Sequence, residues 1–216
     1  MSEPDRIRGI DEPLPEGERL LWQGAPSWRS LARHAFHVRK VAIYFAVLVA
    51  WRIASGLADG ESALTVAAAA LWFGLLALAG LAVLAVLAWA SARTSIYAIT
   101  TRRVVMRIGI ALPMTVNLPL HRLAAAALRC HRDGTGDIPL ALRGDDRIAW
   151  LHLWPHVRPW RLARPEPMLR AVPDAARVAR ILADATAAAA TDIAPANAPQ
   201  PRPTAPAPRP LAGALS

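Results

Sequence analysis

Ala63 to Ala92 is a run of 30 residues without a charged side chain, built mostly from Leu, Val and Ala. Wound as an α-helix it would be roughly 45 Å long at 1.5 Å per residue, more than the ~30 Å of a bilayer's hydrocarbon core. Such a segment is expected to span, with length to spare for tilt. A second apolar stretch, Val41 to Ala58, is interrupted only by Arg52. Each larger aliphatic there favours insertion by about 0.3 to 0.6 kcal/mol, against a cost of about 2.5 kcal/mol or more for an arginine at the helix centre. Arg52 lies seven residues before Asp59, near enough to the far interface for its side chain to snorkel outward, so this stretch is expected to cross as well. The connection Asp59-Gly60-Glu61-Ser62 is acidic, whereas Arg29, Arg33, Arg39 and Lys40 precede the pair and Arg93, Arg102 and Arg103 follow it. The positive-inside rule then puts both termini in the cytoplasm, in a multi-pass protein of the inner (cytoplasmic or intracytoplasmic) membrane. A chain 54% hydrophobic with mean hydropathy +0.27 agrees with that placement. Residues 1–40 are polar and of mixed charge, unlike a cleaved leader, which needs its apolar stretch near the start.

The remaining composition narrows the function. A single cysteine, Cys130, excludes an internal disulfide, and no Cys/His spacing suits zinc. Most of the formal net charge of +9 sits in residues 93–170, with 13 basic and 5 acidic side chains. This segment directly follows the apolar block, where cations meet anionic headgroups. Nucleic acid is not expected as a partner, because the arginines are dispersed at strand-like spacing and no recognition motif accompanies them. Neither apolar stretch contains a histidine to hold a pigment, and a transporter would need more helices and paired intramembrane charges. No cofactor is expected.

After Arg93 the continuous apolar pattern gives way to short alternating runs between turn residues, the signature of a small antiparallel sheet. Ser95–Thr100 and Arg103–Ile108 read as the first pair, with Val104, Met106 and Ile108 on one face and Arg103 and Arg107 on the other. Further strands are predicted at Met114–Leu118, Ala125–Arg132, Ile138–Leu142 and Arg147–Leu153, with turns at Asp133–Asp137 and Gly144–Asp146. Pro173 and Asp174 mark a helix start by ring and N-cap. Val178, Ile181, Leu182 and Ala185 then fall on one stripe that has to cover the sheet. The chain is thus read as an α+β membrane protein. Residues 1–40 form a cytoplasmic N-terminal segment, and 41–92 a transmembrane helical hairpin (about 41–58 and 63–92). Residues 93–190 form an antiparallel β domain with a C-terminal capping helix, and 191–216 a disordered Pro/Ala-rich tail.

Six or seven short strands closed by one C-terminal helix make a pleckstrin-homology-like (PH-like) architecture. The stretch Tyr97–Gly109 (YAITTRRVVMRIG) resembles the first hairpin of bacterial PH-like domains. In many such membrane proteins the domain follows a transmembrane hairpin, preceded by a short acidic segment like Glu16–Ser27 (EGERLLWQGAPS). The stretches Asp133–Leu140 (DGTGDIPL) and Leu151–Leu169 (LHLWPHVRPWRLARPEPML) are similar to one branch, the photosynthetic-complex assembly proteins of purple bacteria encoded beside the reaction-centre H subunit. The resemblance covers roughly residues 12–185. It implies a PH-like fold and a non-catalytic factor that helps assemble the reaction centre with its light-harvesting 1 ring, with subunits of those complexes as partners.

Trp154, Arg158, Trp160 and Arg161 are candidate partner-binding residues, because aromatics and arginine dominate interface energies and Pro155 and Pro159 disfavour a continuing strand. Simple core packing is the competing role, above all for Trp150 with Trp154. Arg102, Arg103 and Arg107 are candidate lipid-headgroup contacts, or else a solvated strand face. His152 and His156 are four apart, but Pro155 argues against a helix and no third ligand is in spacing. Gly134-Thr-Gly136 reads as a hairpin loop, and Cys130 as a small packing residue. No acid, base and nucleophile converge, so no enzyme is expected. The alternative function is a lipid-sensing PH-like module of envelope stress. A homodimer stays open as a further partnership.

Overall fold

The computed structural model describes residues 7–9, 13–110, 112–143, 153–159 and 165–193. The two apolar stretches are helices, α2 (Val38–Ala58) and α3 (Ala63–Thr94), preceded by the short α1 (Trp28–His34). Both are long and apolar enough to cross a membrane. Side chains such as Ile43, Val47, Trp51, Leu71, Trp72 and Leu78 stand exposed on the hairpin, as helices surrounded by lipid would have them. The tight connection follows from its residues. Gly60 supplies a positive φ of 75°, and the Ser62 hydroxyl accepts from the Thr65 N–H at 3.2 Å to start α3. Arg52 does reach the far end, where it pairs with Glu61 of the acidic turn at 2.8 Å. Gly56 lets α2 and α3 close on each other, since a Cβ there would fall 2.9 Å from Val66 Cγ2.

Among the described residues there are eight strands, the first ahead of the helices and the rest after them: β1 (Leu20–Gly24), β2 (Ile96–Thr100), β3 (Arg103–Ile108), β4 (Met114–Pro119), β5 (Leu123–Ala126), β6 (Arg129–Cys130), β7 (Thr135–Leu142) and β8 (Met168–Pro173). Strands β1 to β4 form an antiparallel meander in that order, while β7 carries β5 and β6 on one edge and β8 on the other. Residues 20–24 thus pair with Ile96–Thr100 across the whole hairpin. A boundary at residues 40 and 93 therefore divides one sheet, whose first strand precedes the hairpin. The same N-terminal segment explains why β2 and β3 are buried on both faces. Tyr97, Ile99, Val104, Met106 and Ile108 face the main core, and Ala98 and Val105 are covered by Ile7.

The strand predicted over Ala125–Arg132 divides into β5 and β6. The break lies opposite Pro139, whose carbonyl accepts from Ala127 N at 3.3 Å but which has no N–H to return the bond. Cys130 is exposed on this short edge strand rather than packed. Of the strand expected at Arg147–Leu153, only Leu153 is among the described residues, and β8 is the strand that pairs with the second edge of β7. The terminal helix, α4 (Ala175–Ile193), packs its stripe as the spacing predicts, with Val178, Leu182 and Ala185 buried and Ile181 half-buried. Asp174 has φ 49°, and its carbonyl accepts from the N–H groups of Arg177 and Val178 at 2.8 and 3.2 Å. The tail beyond Ile193 lies outside the described residues.

Candidate functional site

The hairpin meets the β domain at a buried polar cluster. Ser91 lies in the last turn of α3, Ser95 just after it and Tyr97 on β2, and all three converge on His156, which is fully buried. His156 Nδ1 is 2.5 Å from the Tyr97 hydroxyl, and Nε2 is 2.9 Å from Ser95 Oγ and 3.3 Å from Ser91 Oγ. The Tyr97 oxygen also accepts from the Arg170 N–H at 3.3 Å, an arrangement in which its own proton can go to Nδ1 while Nε2–H faces the serines. Burial, then the Arg170 cation, holds His156 down to about 3, and burial pushes the Tyr97 hydroxyl above its ordinary range. The imidazole is therefore neutral at every physiological pH.

The cluster continues into the second sheet. Arg170 of β8 is buried, and its guanidinium donates to the Pro155 carbonyl at 3.0 Å. Asp137 of β7 accepts from Ala171 N at 2.9 Å, and its other oxygen lies 3.3 Å from His131 Nε2. The His131 ring stacks on His34 of α1 at 3.8 Å between centroids, and Ser30 of α1 meets Thr135 at 2.6 Å. Ala171, held at φ 50°, accepts from Ser27 N at 2.8 Å. Apolar contacts complete the joint: Leu31 and Phe36 pack with Ala88 and Ala92 of α3 and with Ala171. Together these contacts tie the base of the hairpin and α1 to the segment around His156 and to the second sheet. Proline on either side of the segment gave no sign in the sequence that His156 is a core residue.

The expected docking residues separate. Trp154 is half exposed, its ring edge-on to Phe36 at 5.3 Å, directly beside the base of the hairpin. Arg158 is partly exposed and pairs with Glu166 at 2.8 Å. Trp160 and Arg161, like Trp150 and His152, lie outside the described residues. The segment between them is more regular than its prolines suggest. Val157 bridges Pro167, Arg158 N donates to the Glu166 carbonyl at 3.0 Å, and Leu153 and Val157 are buried. The result is a short ordered strip that turns Trp154 and Arg158 outward and His156 inward.

The three strand arginines also part company. Arg103 forms a two-pronged pair with the buried Glu18, at 2.9 and 3.1 Å, and Glu18 accepts in addition from Thr100 Oγ1 at 2.6 Å. Arg107 donates to the Gly9 carbonyl. Arg102 is exposed. It sits with Arg103 at the end of β2 away from α3, and a five-residue strand puts that end roughly 16 Å from the hairpin at 3.3 Å per residue. Arg103 and Arg107 thus bind the N-terminal segment, and Arg102 and Arg103 lie at the end of the strands away from the hairpin's base. Among the described residues no group of three or more His, Cys, Asp or Glu side chains is placed to hold a metal.

Comparison with known proteins places this architecture. The bacterial PH domain family matches residues 41–186, so its match begins with the hairpin. The chain is 40% identical over 181 residues to a Rhodobacter capsulatus protein described as an uncharacterized 23.7 kDa protein in the puhA 5′ region. That similarity spans 83% of this chain and 85% of the relative. No solved structure matches the chain. Two long apolar helices, an antiparallel domain begun by a strand ahead of them and a C-terminal helix closing the core make this chain a member of the bacterial PH domain family.

Proposed function

We propose that the protein is a non-catalytic, membrane-anchored factor for assembly of the photosynthetic reaction centre with the light-harvesting 1 complex. The observation that carries the reading is the relative just described, which lies in a photosynthesis gene region. In this reading α2 and α3 cross the inner membrane with both termini cytoplasmic, as the acidic turn between basic flanks favours. The joint around His156 suits a scaffold, because it ties the hairpin to the β domain beside the outward-facing Trp154 and Arg158, and Trp160 and Arg161 add the same residue types to the sequence of that surface. Reaction-centre and antenna subunits are the partners, and the chain supplies a surface rather than a reaction.

Deletion of the gene tests the function. Near-infrared absorbance of the reaction-centre and light-harvesting 1 complex should fall and return on complementation, and unchanged absorbance overturns the assignment. Reporter fusions test the topology: cytoplasmic at Ser95, exterior at Gly60. A cytoplasmic signal at Gly60 removes the hairpin.

A further inference from the structure

A cleft of about 680 Å³ opens where α1, the start of α2 and the second sheet meet. Among the described residues, five segments each contribute one cation to its lining: Arg33 from α1, Lys40 from the first turn of α2, Arg129 from β6, Arg158 from the ordered strip and Arg170 from β8. Among the described residues a single carboxylate lines it with them, Asp137, one of whose oxygens accepts from Ala171 N while the other lies 3.3 Å from His131 Nε2. Arg158 is held at the rim by Glu166, and Arg33 is only 3.8 Å from an oxygen of Asp133. Lys40 and Arg129 have no ion pair among the described residues. The cleft thus holds more positive than negative charge, with Lys40 and Arg129 left over, an excess that a bound anion would relieve, and the Arg170 guanidinium, one nitrogen of which is held by the Pro155 carbonyl, is a group suited to a phosphate's oxygens.

The position of the cleft says which anion. Ile43 and Tyr44 are the first large, well-exposed apolar side chains of α2. Lys40 precedes Ile43 by three residues, or about 4.5 Å of helical rise. The cations therefore lie at the depth of a leaflet's phosphates if the hairpin spans. We propose that this cleft binds the phosphate of an anionic phospholipid of the cytoplasmic leaflet, with Lys40, Arg129 and Arg170 as its principal contacts. At the same cleft, burial first and then the Lys40 and Arg170 cations hold His37 below its usual range. The site is distinct from the strand arginines Arg102, Arg103 and Arg107, and it rests on the membrane hairpin proposed above.

The test uses the full chain in a neutral detergent, titrated with phosphatidylglycerol, phosphatidylcholine or inorganic phosphate and read as lipid adducts by native mass spectrometry. Phosphatidylglycerol should bind the parent and Arg102→Gln alike, and the double variant Lys40→Gln/Arg129→Gln about thirty-fold more weakly, the factor expected for two cations near an anionic surface. Both substituted side chains lack ion pairs, so the fold is not at stake. Equal binding to parent and double variant overturns the site, and so does equal binding of phosphatidylcholine. Displacement of phosphatidylglycerol by millimolar phosphate assigns the cleft to a soluble anion and overturns the lipid. The reporter at Gly60 decides the hairpin separately, so the two failures are distinguishable.

Discussion

Lowering the pH should loosen the joint between hairpin and sheets through His156. The folded protein holds this imidazole neutral down to about 3, whereas the unfolded chain takes up the proton at an ordinary value of 6.5. A folded-state value below the unfolded one means that the stabilisation is complete above 6.5 and is lost as pH falls toward 3. Within that window one proton per chain costs about 1.4 kcal/mol per pH unit, so moving from pH 7 to pH 5 removes about 2 kcal/mol. His34 and His37 are also held low, chiefly by burial, and act in the same direction, so the parent alone does not isolate the effect. His156→Gln does, because an amide can donate to Ser95 and accept from Tyr97 without titrating. At pH 7 the variant should be destabilised by about 1 to 3 kcal/mol for its poorer geometry. The assay is guanidinium unfolding of the full chain in a nonionic detergent, followed by tryptophan fluorescence at both pH values. The gap between parent and variant should shrink by about 2 kcal/mol at pH 5. A gap that stays constant would refute the assignment of His156 as a buried neutral imidazole.

The Glu18–Arg103 pair should behave asymmetrically, because the Glu18 side chain is 2% exposed and that of Arg103 30%. Arg103→Ala strands a buried carboxylate and should cost about 3 kcal/mol, while Glu18→Ala, which lets Arg103 turn to solvent, should cost less, and the double variant should recover part of the loss. Denaturant midpoints showing Glu18→Ala to be the worse single change would contradict this. Leu182→Ala on α4 should cost about 2 to 5 kcal/mol in the same assay, and a loss under 1 kcal/mol would mean that the stripe does not close the core. Deleting residues 1–24 removes β1, Glu18 and the cover over Ala98 and Val105, so membrane-bound protein should fall sharply on immunoblots, and wild-type amounts would count against a sheet begun ahead of the hairpin.

What could be read from the sequence alone is what depends on neighbours in the chain. The helix ends at Ala58 and Ala63 follow from an uninterrupted apolar run and an acidic Gly-containing turn. The β2–β3 pair follows from period-two alternation, and α4 from a stripe at helical spacing. Each pattern is local, and burial of one face leaves its own period. Leu20–Gly24 carries no comparable mark, because its partner strand begins at Ile96 on the far side of two helices and only the returning chain supplies the hydrogen bonds. Arg103 and Arg107 read as a solvated face until the N-terminal segment lies across them. His156 stands between prolines that suggest a surface loop, and its burial is decided by Ser91, Ser95 and Tyr97, about sixty positions earlier. The cations of the cleft come from five separate elements. Whether a polar side chain ends in solvent, in a buried network or beside other charges depends on partners distant in the chain, since desolvation is tolerated only where tertiary packing brings the missing hydrogen bonds or counter-charges.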